Sequence, residues 1–392
     1  MREAVIVSAV RTPLGKFNGS LSDIGATELG AVAIREAVRR AGIDPAHVQE
    51  TIMGQVLMCG YGQNPARQAA LKAGLPFEVE CLTVNKVCGS GLKAVMLAAQ
   101  AVQTGDADIV VAGGMESMSM APYYLEKARF GYRMGAGLLQ DHMIHDGLWD
   151  VVNDFHMGIS NELCSERYHI PRKAQDRYAE LSYRRALDAQ ASGAFDEEIV
   201  PVDLSRFREE QRVLHQDECP RETHYETLAG MEPVFRENGV GTAGNSSKLG
   251  DGAAAVVVMS RDKAKGLGCE ILAAIDAQAS CGIDPKYVLA APIWAVPKCL
   301  AKAGLDLSSV DLIEISEAFA GSTCAVLQEL EIDSSRTNVN GGSIALGHPI
   351  GASGCRILVT LLHELIRRKK HIGLASLCLG GGEAVALIVR RG

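Results

Sequence analysis

A chain of 392 residues, 47% hydrophobic and 22% charged, is too long for one ordinary core and predicts two or three soluble domains. Its net charge of −8, with no basic tract to offset it, excludes nucleic acid as the main partner, so an anionic ligand needs a local basic patch or helix N-termini. No apolar run reaches the roughly 20 residues that span a bilayer, and the eleven cysteines are scattered without a CxxC pair, which argues against a disulfide framework or structural zinc site and for a reducing, cytoplasmic setting.

The opening MREAVIVSAVRTP enters a strand over 4–10 almost at once, which leaves no room for a leader peptide. An amphipathic helix over 27–41 follows and ends at Gly42; a second strand spans 51–58 and a further helix 64–74. Next comes the stretch Asn85-Lys86-Val87-Cys88-Gly89-Ser90-Gly91 with a helix over 92–103. A strand over 108–112 then ends in Gly113-Gly114-Met115-Glu116. Alternating strands and helices predict an α/β fold with mainly parallel strands. From about Ser117 the pattern breaks, and 120–249 reads as a large insertion with its best helix over 172–192. The charged helix face over 167–185 reads as solvated. Alternation resumes with the apolar strand 251–260.

An internal repeat organises the chain. Ala41-Gly42-Ile43-Asp44 matches Ala303-Gly304-Leu305-Asp306, Gly89-Ser90-Gly91 echoes Ala352-Ser353-Gly354, and Val110–Gly114 echoes Ser376–Gly381, all in the same order. Two similar α/β halves are implied, the first interrupted by the insertion, with their glycine-rich turns around one shared site.

Those turns carry the candidate chemistry. Cys88 sits at a helix start, where unpaired N–H groups and the helix dipole favour a thiolate. His348, in the long turn Asn340–Gly354, supplies a base, and Cys378 ends a strand in Leu377-Cys378-Leu379-Gly380-Gly381-Gly382. The glycines free backbone N–H groups to meet an oxyanion.

Taken as a set, KVCGSG, GMESMS at 114–119, HMG at 156–158, GNSS at 244–247, EAF at 317–319, NGGSIALGHPIGASG and LCLGGG resemble the thiolase family along the whole chain, and within it the acetyl-CoA acetyltransferases. The resemblance implies two similar halves with mixed, largely parallel sheets around shared central helices, plus an inserted loop domain. The first half would be 1–119 plus 250–270, the insertion 120–249 and the second half 271–392. It further implies that Cys88 carries the acyl group as a thioester, that His348 takes the thiol proton, and that Cys378 moves the α-proton. The N–H groups of Cys88 and Gly380 would form an oxyanion hole. Coenzyme A thioesters would be the substrates, with no tightly bound cofactor. His156, Met157, Ser247 and Leu148 would line the arm of coenzyme A, Ala318 and Phe319 would sit near its reactive end, and Arg221 would neighbour a phosphate. A homotetramer is implied, with part of 120–145 at the contact.

One departure stands out: the family usually carries Asn-Glu-Ala-Phe where this chain has Ser316-Glu317-Ala318-Phe319. In the family that Asn holds a water which, with the histidine, binds the thioester oxygen, so Ser316 would keep the role with altered geometry or mark a paralogue of shifted or reduced activity. A degradative 3-ketoacyl-CoA thiolase of longer chain range shares every motif, with Leu148, Val288 and Trp294 setting pocket depth. A condensing enzyme on carrier proteins fits less well, because its site would lack the second cysteine. A non-catalytic acyl-CoA-binding protein is the reading from another class. The two histidines of Asp141–Asp146 lack further metal ligands, so no metal is expected. Trp149 and Trp294 read as packing or substrate-wall residues.

Overall fold

The structure, a computed structural model, describes residues 2–207 and 212–392. In the first half β1 (Ala4–Arg11), β2 (Glu50–Gly54), β3 (Glu80–Val84), β4 (Ile109–Ser117) and β5 (Gly250–Ser260) lie in the order β3-β2-β4-β5-β1. In the second, β6 (Ala273–Gly282), β7 (Leu312–Ile315), β8 (Ile372–Leu379) and β9 (Glu383–Arg390) lie in the order β7-β8-β9-β6. Without the edge strand β3 the two orders are the same. So are the senses: the first pair is parallel and the next two antiparallel in each half. Among the described residues the two sets join where Val5 and Ile6 of β1 meet Ala274 and Ala273 of β6.

The sheet is therefore mixed, as expected, but parallel pairing does not dominate it. Parallel ladders are confined to β2/β3, β2/β4 and β7/β8. The cause is how the chain returns. It passes from β8 to β9 through a tight turn, a connection that only antiparallel neighbours allow. The equivalent return from β4 to β5 is where the insertion enters.

Helices cover both strand sets. They are α1 (Ala26–Ala41), α2 (Pro65–Ala73) and α3 (Ser90–Thr104), then α4 (Met157–Arg167) and α5 (Arg172–Ala191) in the insertion. After them come α6 (Pro292–Ala303), α7 (Ala320–Glu329), the single turn α8 (Ser343–Leu346) and α9 (Ile350–Arg367). On the outside of the first set, Leu29, Ile34 and Ala69 of α1 and α2 pack on Met53, Val111 and Val257. Outside the second, Ala295, Leu300 and Val326 of α6 and α7 pack on Leu374 and Ile388. Between the sets lie α3 and α9. Leu92, Val95, Ile357 and Leu361 share one core with Val110 and Val256 of the first set and Leu377 and Val385 of the second. α9 is buried along nearly its whole length, its polar stripe of Ser353, Arg356, Thr360 and Glu364 included.

Two glycines bring α3 and α9 together. A Cβ on Gly91 would lie 2.8 Å from the backbone N of Cys355, and one on Gly354 would lie 2.5 Å from the backbone N of Leu92. Either clash forces the helices apart. The crossing therefore sits one turn from each helix start, which sets the two preceding turns side by side.

Two strands differ from the sequence reading. The one expected over 51–58 stops at Gly54, because the buried Glu116 carboxylate accepts from the backbone N–H groups of Val56 and Leu57 and turns the chain. The one expected to stop at Ala112 runs on to Ser117. Its glycines do not end it. They admit a neighbour: a Cβ on Gly114 would lie 2.1 Å from the carbonyl oxygen of Gly351 in α9. The charged helix face within 167–185 is also only partly solvated, since Gln175 and Asp176 of α5 are fully buried. Among the described residues no helix is long and apolar enough to cross a membrane.

Candidate active site

Three turns meet at the N-terminal ends of α3 and α9. The first is held in a costly backbone conformation. Val87 has φ +46°, a left-handed value that a β-branched residue rarely adopts. Local hydrogen bonds hold it there: Ser90 Oγ donates to Val87 O at 2.6 Å, Lys86 N donates to Ser90 Oγ at 2.8 Å, and Val87 N donates to Asn85 Oδ1 at 3.0 Å. The strained turn presents Cys88, which is partly exposed, just ahead of α3. A Cβ on Gly89 would lie 2.2 Å from Leu379 Cδ2, so glycine lets the Cys88 turn close onto the Cys378 turn.

The closure has a chemical result. The backbone N–H groups of Gly380 and of Cys88 itself lie close enough to the Cys88 sulfur to favour its thiolate form. They come from the two halves of the chain and offer donors beside the sulfur, where an oxyanion would form during attack on a carbonyl. Desolvation opposes them: with the Glu116 carboxylate adding to it, it pushes the Cys88 thiol up to about 12. This acts against the thiolate expected from the helix start.

His348 is fixed as a neutral base. Its backbone N–H donates to Lys248 O at 2.8 Å, and its Nδ1 lies 2.7 Å from the fully buried Ser353 Oγ. Ser353 Oγ also lies 2.8 Å from Pro349 O. With its hydroxyl hydrogen given to that carbonyl, Ser353 accepts from Nδ1–H, the tautomer that leaves Nε2 its lone pair. Burial, and then the Arg356 guanidinium, lower the imidazole to about 4, so it is uncharged at neutral pH. Ser353 entered the sequence reading only as part of the repeat. A serine five residues after a histidine carries no signal of its own.

Cys378 lies near the end of β8, almost fully buried, and burial raises its thiol further still, with Cys88 and Cys164 nearby adding to the effect. Ser316 follows β7 and is also buried; its N–H donates to Ser376 O at 3.1 Å, and its Oγ has no protein partner. The backbone beside it is held by Glu317. That carboxylate accepts from Tyr178 Oη at 2.9 Å, Ser182 Oγ at 2.7 Å, Asn338 Nδ2 at 3.0 Å and the Ile344 N–H at 3.2 Å. The sequence reading quoted Glu317 only inside a motif, because its four donors come from distant segments.

An aromatic and apolar wall continues from there. Ser247 N–H donates to Ala318 O at 3.0 Å, which fastens the GNSS turn to the EAF segment. The Phe235 ring stacks on His156 at 5.3 Å and meets Phe319 edge-on at 5.6 Å. Met157, Ala318, Phe319, Val288 and Cys378 belong to one buried cluster with Phe235 against it. Phe235 escaped the sequence reading for want of a motif around it. His156 has a structural duty as well: its Nδ1 accepts the Gly158 N–H at the start of α4, which leaves Nε2–H as its outward donor. Leu148 packs in a neighbouring cluster with Cys88 and Leu249. Arg221 stands apart from this wall, exposed, with its guanidinium over the Tyr183 ring.

His142 and His145 both face Asp146, at 2.9 and 2.7 Å, and His145 also meets Tyr124 Oη. Among the described residues no group of three or more His, Cys, Asp or Glu side chains could hold a metal ion. Trp149 and Trp294 are both partly exposed.

Comparison with known proteins gives a consistent picture. The family model for the thiolase N-terminal domain matches residues 4–262, and that for the thiolase C-terminal domain matches 269–391. An acetyl-CoA acetyltransferase of Pseudomonas aeruginosa is 54% identical over 392 residues, and one of Cupriavidus necator 55%; each match covers the whole of both chains. The crystal structure of the Bacillus anthracis acetyl-CoA acetyltransferase superposes with a TM-score of 0.98 at 43% identity, covering 100% of this chain and 99% of that one.

Two outcomes test the electrostatics. Below a thiol pKa of about 12 the thiolate fraction rises with pH, so alkylation of Cys88 by iodoacetamide, followed by mass spectrometry, climbs about tenfold per pH unit between roughly pH 6 and 9. A rate already level near neutral pH would show a preformed thiolate. Ser353→Ala releases His348 Nδ1 and lowers the acylation rate about 10- to 100-fold, read by rapid quench. An unchanged rate would show that the imidazole needs no anchor.

Proposed function

This chain belongs to the thiolase family of acyltransferases, and we propose that it condenses two acetyl-CoA reversibly to acetoacetyl-CoA and CoA through an acetyl-Cys88 intermediate. The reading rests on one observation above all: backbone N–H groups from both halves of the chain, of Cys88 and of Gly380, lie beside the Cys88 sulfur and favour its thiolate form. In the first stage the Cys88 S–H proton passes to His348 Nε2 as sulfur attacks the thioester carbon. The tetrahedral oxyanion then collapses, the C–S bond to coenzyme A breaks, and the departing thiolate takes the proton from His348. Because thiol and imidazole both rest uncharged, this transfer occurs on the bound substrate and not beforehand.

In the second stage Cys378 reacts from its thiolate form, its thiol proton having first been lost to solvent, and removes the α-proton of an incoming acetyl-CoA. The resulting carbanion attacks the acetyl-Cys88 carbonyl, and the new oxyanion sits between the Cys88 and Gly380 N–H groups until it collapses and the C–S bond to Cys88 breaks; the Cys88 thiolate then takes the proton that Cys378 removed, which restores the Cys88 thiol and the Cys378 thiolate. A thiol whose pKa is raised by burial makes a strong base once ionised, and in the cleavage direction it is a ready proton donor to the enolate. One cysteine is acylated at this point, so a second group must move the proton.

His156, Met157, Leu148, Ser247, Ala318 and Phe319 line the arm and reactive end of the thioester on this reading, and Arg221 neighbours a phosphate. Ser316 Oγ, buried and without a protein partner, holds a water that works with His348 on the first thioester oxygen. The apolar side chains exposed in the insertion, Phe130 at 87% and Met134 at 96% among them, are covered by other subunits in a cytoplasmic homotetramer.

Intact-protein mass spectrometry after mixing with acetyl-CoA yields an acetyl adduct that Cys88→Ala abolishes; no adduct under any condition would favour a non-catalytic acyl-CoA-binding protein. A substrate profile from short to long 3-ketoacyl-CoA then favours the shortest chain, and efficient long-chain cleavage would replace the acetyl assignment by the degradative one. Ser316→Asn shifts condensation and thiolysis by about tenfold or more, since a misplaced donor is felt at that scale. Equal rates in both directions would remove position 316 from the oxyanion site.

A further inference from the structure

The tip of the β8–β9 hairpin reaches the Cys88 turn through three contacts. Leu379 closes on Gly89, and a Cβ on Gly380 would lie 3.1 Å from Val87 Cγ1. Both contacts are apolar and fix no direction. The third is an ion pair between Lys86 Nζ and Glu383 Oε2 at 2.5 Å, which joins residues 297 apart in sequence, one in each half of the chain. Its two ends are unequally held. The Lys86 backbone is fixed within the Cys88 turn, since its N–H donates to Ser90 Oγ at 2.8 Å and its carbonyl accepts the Gly89 N–H at 3.1 Å. The hairpin tip is Gly380-Gly381-Gly382, with φ +88° at Gly381 and +94° at Gly382. Three consecutive glycines cost more to order than any other tripeptide. A Cβ on Gly381 would meet nothing within 4 Å, so packing does not hold the tip there. Behind it, Gly382 O accepts the Ile283 N–H at 2.7 Å. In front, Glu383, the cross-strand partner of Leu379, is tied to Lys86. Lys93, in the first turn of α3, is a second cation whose charge reaches Glu383.

We infer that Lys86 and Glu383 are positioning residues: their ion pair clamps the hairpin tip onto the Cys88 turn and sets where the Gly380 N–H stands at the reacting end. The catalytic consequence rests on the acyl-transfer reading above, in which that N–H meets the oxyanion. Gly380 has no side chain of its own to locate it, so the direction of its N–H follows from what holds the two ends of the tip. Those ends are Leu379 and Glu383, and the Glu383 carboxylate is the one that bonds to the Cys88 turn. Magnitudes decide between bracing the fold and setting the donor. The Lys86 and Glu383 side chains are 22% and 45% exposed, and an ion pair this open to solvent adds little to folding stability. A donor displaced by about 1 Å, by contrast, costs a reaction up to about 100-fold. The pair is therefore weak as a brace and strong as a setting for Gly380.

The test uses the full-length enzyme. Glu383→Gln, which leaves no carboxylate for either lysine, and Lys86→Met each slow Cys88 acetylation by saturating acetyl-CoA about tenfold, read by rapid quench, with KM changed less than about twofold. The reversed pair, Lys86→Glu with Glu383→Lys, recovers at least about a third of the wild-type rate. Thermal midpoints stay within about 2 °C of wild type, which a loss of structure would not allow. Without substrate, hydrogen exchange of the segment 379–383 quickens at least about threefold in Glu383→Gln, while that of β4 is unmoved. Raised salt slows the wild type toward the single variants and leaves the variants as they are. Wild-type acetylation rates in both single variants overturn the proposal. So does unchanged hydrogen exchange over 379–383, or a reversed pair no faster than the single variants. Where a single variant fails to fold, the reversed pair and the salt dependence of the wild type decide. Absence of acetyl-Cys88 in the wild type removes the acyltransferase reading instead, and hydrogen exchange then tests the clamp on its own.

Discussion

The crossing of α3 and α9 at Gly91 and Gly354 is the constraint on which the site depends. Each helix puts a glycine against the other's backbone, and a single methyl group at either position meets main-chain atoms that cannot yield without moving a helix. Because the crossing lies at the helix starts, the turns that precede α3 and α9 are forced into contact, and these turns carry Cys88 and His348. The strand sets on either side share their core with these two helices, so the separation of the catalytic groups is fixed by the most buried part of the molecule. Gly114 and Gly89 extend the same logic to β4 against α9 and to the Cys88 turn against Leu379.

Such tight burial has an electrostatic consequence. It holds both members of the Cys88–His348 pair uncharged: the thiol is driven up and the imidazole down. A buried ion pair would demand strong compensation, and the site supplies its donors elsewhere. They lie beside the sulfur, where negative charge would appear in the proposed reaction. A buried site with aimed N–H groups stabilises that charge without reorganising at the moment of transfer. The strained Val87 and the anchored Ser353 are two local devices that keep the geometry ready.

Much of this was legible in the amino-acid order, and the parts that were not share a physical reason. Cys88, His348 and Cys378 announce themselves through glycine-rich turns in their own segments, and the repeat between the halves shows in matched turns in the same order. The strand boundaries at Gly54 and Ser117 were misread because their causes lie far off in sequence: the Glu116 carboxylate turns residues 55–57, and α9 requires glycine inside β4. Glu317, Phe235 and Ser353 were not given roles for the same reason, since each is defined by partners that only the fold assembles. The thiolate expected at Cys88 is opposed by desolvation, which local helix arguments leave out.

The serine at 316 is best understood through its neighbour. With Glu317 accepting four hydrogen bonds from α5, Asn338 and α8, the main chain on either side of Ser316 is pinned to two layers of the structure. Its N–H is fixed to Ser376 on β8, the strand that carries Cys378. A change of side chain at 316 therefore cannot be absorbed by a shift of the backbone. It alters only how far a donor reaches into the buried space, and a hydroxyl reaches less far than a carboxamide. The frame around Ser316 is rigid, so one short side chain within it can retune the buried space beside it while Cys88 and His348 stay where the glycine crossing puts them.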